Sequence, residues 1–135
     1  MKIKINEKEY DIKYGYKPTL KERVISKVVR LQSIADENGE INFEKIEDLL
    51  LYMPELLLVG LQVHHEDFRY NYDTGDGKEE QLEKAFNLIE EYCDQEDADI
   101  MDLFNKLNGA LEEDSFLSNM LQKERAELEK QKKQK

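Results

Sequence analysis

One stretch constrains the fold of this chain more than any other: LLLYMPELLLVGLQV at residues 49–63. From Leu56 to Val63 it is apolar nearly all round, so these residues must either be enclosed by the rest of the chain or face a partner. Pro54, Glu55, Gly60 and Gln62 interrupt it, and it falls short of the roughly 20 residues a membrane helix needs. It therefore reads as the centre of a globular core. With 135 residues, 39% of them hydrophobic, the chain has enough apolar material to enclose that centre within one domain.

The sequence before it changes period. KIKI at 2–5 alternates, and in YDIKYGYK Tyr10, Ile12, Tyr14 and Tyr16 share one face, so two antiparallel strands joined by Asn6 to Glu9 are expected. Lys17-Pro18 ends the second strand. Thr19 with Glu22 then forms a capping box that opens a helix near Leu20, with Val24, Val28, Leu31 and Ala35 on its main stripe, Ile25, Val29 and Ile34 beside it, and ADENGE as its stop. Asn42 caps a second helix carrying Phe43, Ile46, Leu49 and Leu50, which Pro54 should break or restart.

Three more helical patterns follow: Leu82, Ala85, Phe86, Ile89, Tyr92 and Cys93; then Ile100, Leu103, Phe104, Leu107 and Leu111, with Asp97 or Asp99 as cap; then Phe116, Leu117, Met120, Leu121 and Leu128. The expected fold is mainly α, an N-terminal β-hairpin followed by about five or six helices in one compact domain. Residues 1–17 form the hairpin, 18–121 the helical body, and 122–135 a charged tail that frays into solvent.

Charge narrows the function classes. The net charge is -11, and residues 122–135 carry 6 Lys/Arg against 3 Glu, which leaves the body at about -14. Such a body repels phosphate backbones and anionic membrane surfaces, so no direct nucleic-acid or membrane contact is expected. A single cysteine, Cys93, excludes an internal disulfide, and Met1-Lys-Ile-Lys-Ile does not open a signal peptide's apolar run; a reducing, cytoplasmic setting is expected.

YDTGDGKEE at 72–80 imitates three active sites. An Asp-Thr-Gly protease needs apolar strands and a second carboxylate sharing one proton, whereas Asp73-Thr74-Gly75 runs into acids and a helix. A calcium loop needs its glycine and acids in phase, and here they are not. A phosphate cradle would meet Glu79 and Glu80, which repel an anion. The plainer reading is a loop in which Asp76 caps the next helix and Glu79 and Glu80 suit its dipole. His64 and His65 in HHED point about 100° apart on a helix and cannot share a metal. Cys93 lies on an apolar stripe and reads as packing. No catalytic, cofactor or metal site emerges. The apolar surplus of Leu57, Leu58 and Leu61 is the candidate partner-binding surface, with enclosure as the alternative.

The opening MKIKINEKEYDIKYGYKPTLKE, with a basic strand, an Asn-x-Lys turn and YDIKYGY leading to a helix, resembles the tail assembly chaperones of long-tailed phages and prophages of Gram-positive bacteria. The likeness extends more loosely to the acidic helical body, its Leu-rich middle and the charged tail. It implies a protein of the host cytoplasm, absent from the mature virion, that binds the tape measure protein, keeps it soluble and helps tail tube subunits polymerise around it. Partners would be the tape measure protein and the major tail tube protein, with self-association possible and no nucleotide required. Such chaperones are made in two lengths by translational frameshifting, and EKQKKQK would be encoded by A-rich codons on which a ribosome slips. A competing expectation is an acidic mimic of DNA that blocks a basic host protein, motivated by residues 76–114 with 14 acids against 3 lysines.

Overall fold

The computed structural model describes residues 1–31 and 38–133. Within them the chain is mainly helical, with a two-stranded antiparallel hairpin followed by six helices. Strands β1 (Lys2–Ile5) and β2 (Lys8–Asp11) pair with Lys2 opposite Asp11 and Ile5 opposite Lys8. Asn6 and Glu7 both take positive φ, 50° and 68°, and so close the hairpin in two residues. The connector is thus shorter than the expected Asn6 to Glu9. Ile3, Ile5 and Tyr10 turn inward while the lysines face water.

Beyond the ladder the chain stays extended and inserts Ile12 and Tyr14 completely into the core. Tyr16, expected on the same face, is 66% exposed, because α1 (Tyr16–Lys21) has already begun. Pro18 lies in the first turn of that helix, where its missing N–H costs nothing. The expected capping box does not form: Thr19 is buried inside α1, and Gly15 occupies the N-cap. Arg23 then takes φ 54°, which separates α1 from α2 (Val24–Leu31). Of the expected stripe, Val24 and Val28 are buried and Val29 is exposed; Ile34 and Ala35 lie outside the described residues.

Asn42 caps α3 (Phe43–Leu61) as its side-chain oxygen accepts from the Lys45 N–H at 3.2 Å. Pro54 was expected to interrupt this helix, yet α3 runs through it. A mid-helix proline costs about 3 kcal/mol, while each leucine fully buried returns about 1.5–3 kcal/mol, and α3 encloses ten residues including Leu49, Met53 and Leu56. Burial decides the matter. Gln62 and Arg69 close the helix end: Gln62 donates to the Leu58 and Phe68 carbonyls, and Arg69 donates to those of Gln62 and Val63.

A short 3₁₀ turn at Glu66–Phe68 leads through the 71–77 loop to α4 (Lys78–Cys93), α5 (Ile100–Glu113, capped by Asp99) and α6 (Ser118–Lys133). Helices α2, α4 and α5 all pack on α3. The Leu-rich stretch is therefore the hub of the fold. No helix among the described residues is long and apolar enough to cross a membrane. The charged tail continues α6 as helix to Lys133, with residues 122–131 exposed throughout.

Candidate functional site

The three leucines that stood as candidate partner contacts are core. Leu57 is 1% exposed and Leu58 and Leu61 are 0%, so enclosure, not display, is what this structure gives them. Physically, α2, α4 and α5 pack on α3, and its stretch from Leu56 to Leu61, apolar all round, is buried on every side.

The 71–77 loop is organised by its own backbone and by Asn71, whose side-chain oxygen accepts from the N–H groups of Asp73 and Thr74. Thr74 Oγ1 accepts from the Asp76 N–H, and Asp73 pairs with Lys21 at 3.0 Å, fastening the loop to α1. Asp76 does not cap α4; Gly77 does, in the left-handed conformation at φ 82°. His65 Nε2 accepts from the Asp11 N–H at 2.9 Å, and its ring lies against those of Tyr10 and Phe68, which makes it a strut between hairpin and helix end. Among the described residues no three His, Cys, Asp or Glu side chains converge on a metal position. Cys93 is exposed instead of packed; partial burial, then the Asp94 carboxylate, push its thiol above the ordinary value, against nucleophile activation.

What the structure does assemble is a half-buried ion cluster where α1, α2, α3 and α4 meet. Lys78 Nζ donates to Glu22 and, at 3.1 Å, to Glu55 Oε1; Lys27 Nζ reaches the same Glu55 oxygen at 3.0 Å. Burial pushes the Glu55 carboxyl up, but hydrogen bonds and charge from Lys27 and Lys78 outweigh it and hold the group below its ordinary value. Burial likewise pushes Lys78 down, and Glu22 and Glu55 more than reverse it. Burial, then the Glu55 and Glu22 carboxylates, raise the Tyr52 phenol far above its usual range, so it stays neutral. The cluster was not anticipated. A single acid, Glu55, inside the apolar run was the available signal, since an acid enclosed with leucines needs a cation.

Beside this cluster, α2 and α3 enclose a cleft of about 430 Å³ lined by Lys27, Arg30, Leu31, Lys45, Asp48 and Tyr52. Farther along α3, Phe43 (78% exposed), Leu50 and Leu51 (61%) face outward. They span about 100° of arc at 3.6 residues per turn, opposite the buried Leu49, Tyr52 and Met53 in the first half of α3; from Pro54 on the same arc is buried. The chain matches no protein-family model, no curated protein and no solved structure.

Proposed function

We propose that this protein is a phage tail assembly chaperone that binds the tape measure protein, keeps it soluble and helps tail tube subunits polymerise around it. The opening segment's resemblance to that family supplies the identity. The observation that carries the reading physically is the outward face of the first half of α3, where Phe43, Leu50 and Leu51 stand exposed opposite Leu49, Tyr52 and Met53 of the core. A chain of net charge -11 surrounds that apolar face, so the surface can take an amphipathic client helix while coated complexes repel one another. On this reading the protein performs no chemical step, and it works in the host cytoplasm and leaves before the virion is complete.

The test is a pull-down of the tagged protein from cells producing phage, with mass spectrometry before and after a high-salt wash. A long helical tail protein retained through salt is expected. Phe43→Ser with Leu51→Ser should abolish that capture while the thermal midpoint stays within about 2 °C, because neither side chain is enclosed.

A second reading has its own observation. The outward side of α4 presents Glu79, Glu83 and Glu90 together with Glu80 and Glu91, all exposed, as a mimic of a phosphate row requires. A protein of that kind would capture a basic enzyme and release it steeply as salt rises, so the same wash separates the two.

A further inference from the structure

Helix α2 differs from its neighbours in how it is held. It buries two residues, Val24 and Val28, where α3 buries ten. Arg23, with its positive φ, forms a joint at its start, and Lys27 ties it to α3 by the ion pair with Glu55 and by lying 5.5 Å from the centre of the Tyr52 ring. Clefts open on both flanks, the one already described against α3 and another of about 410 Å³ against α1, lined by Thr19, Leu20, Arg23, Ile25 and Ser26. Beneath it the hydroxyls of Tyr52 and Thr19 are buried without a hydrogen-bond partner among the described residues. An element held by two buried valines, a partly buried Leu31 and one partly exposed lysine belongs to the low-stability end of a fold.

We propose that α2 is a displaceable occupant of a binding seam on α3, and that a client helix of the same pattern takes its place. Lys45, Asp48, Tyr52 and Glu55, at i, i+3, i+7 and i+10, form one stripe of α3 that faces α2. When α2 leaves, Glu55 loses the Lys27 ammonium, the Tyr52 ring loses its cation, and the surfaces that held Val24 and Val28 open. The incoming helix is therefore specified. It carries small or β-branched apolar residues four apart, with a lysine or arginine placed like Lys27 to meet Glu55, and its positive charge suits an acidic body. That such a helix belongs to a client rests on the chaperone reading; the seam itself does not.

Two measurements on the full chain test this. Hydrogen exchange should show the amides of 24–31 exchanging at least about a hundredfold faster than those of 56–61, through an opening that leaves α3 intact. Val28→Asp should remove protection at 24–31 and retain it at 56–61. It should also bind a fluorescein-labelled peptide of residues 20–31 at least about tenfold more tightly than the unaltered chain, whose own tethered helix competes. Exchange of 24–31 in step with 56–61, loss of protection throughout Val28→Asp, or equal peptide binding by the two proteins would each overturn the proposal. Because the probe contains no phage protein, peptide binding without tape measure capture keeps the seam and discards the phage client. Capture without peptide binding does the reverse.

Discussion

Gly60 sits on α3 where the extended chain after the hairpin crosses it, and a Cβ there would come within 2.8 Å of Ile12 Cγ2 and 3.2 Å of Tyr14 Cζ. The close approach lets the Lys13 N–H reach the Gly60 carbonyl at 2.9 Å and Tyr14 donate to the Leu56 carbonyl at 2.9 Å. Alanine would gain about 1 kcal/mol of helix propensity but force two enclosed side chains apart, so Gly60→Ala is expected to lose about 1–2 kcal/mol net in urea unfolding. Leu58 gives a sharper case. At 0% exposure, Leu58→Ala should cost about 2–5 kcal/mol, and Leu58→Asp should leave no cooperative thermal transition. Residue type alone told that Leu57, Leu58 and Leu61 needed covering; it did not tell that this chain covers them itself, because that depends on which elements meet on α3.

Elements were legible where a periodic stripe and a cap coincided. Asn42 and Asp99 stand where their helices begin, and the alternation of KIKI and YDI gives the inward face of the hairpin. Boundaries failed where the packing of distant residues outweighed local chemistry. Thr19 is drawn into the core, and Pro54 is carried by the burial around it. Cys93 and Phe86 extend a sequence stripe wider than the face α4 buries. The ion cluster joining α1, α2, α3 and α4 was legible only through Glu55, since Glu22 and Lys78 lie 56 residues apart. It gives the elements a pH signature. Glu55 is held below its ordinary value by Lys27 and Lys78 against burial, so its contribution is complete above about pH 4.5 and is lost as pH falls through the folded value. Lys78 is held above its ordinary value, so its contribution is complete below about pH 10.5 and is lost as pH rises past the folded value. Urea midpoints of the native chain and Glu55→Gln should therefore differ at pH 7, and the difference should shrink as pH falls below about 4.5 through the folded carboxyl's lowered value.

At the scale of the molecule, the acidic body and the basic end of α6 behave as separate parts. Residues 122–131 are exposed, and the Arg125–Glu112 pair at 3.3 Å is a surface contact of about 0–1 kcal/mol. Removing 122–135 should shift the unfolding free energy by less than about 1 kcal/mol while raising the magnitude of net charge from -11 to -14, checked by calorimetry and electrophoretic mobility. The body closes on itself over long distances: the Asn6 N–H bonds the Gln95 side chain across 89 positions, and Tyr14 bridges Ser115. During synthesis that geometry becomes a matter of order. The hairpin leaves the ribosome ahead of the helices, is marginal by itself, and must wait for α3, then α4 and α5, before Ile3, Ile5 and Tyr14 are shielded. At about 5–20 residues per second, several seconds pass in which this apolar edge is open. A protein proposed to shelter another chain's apolar helices is thus, while it is being made, briefly in need of shelter itself.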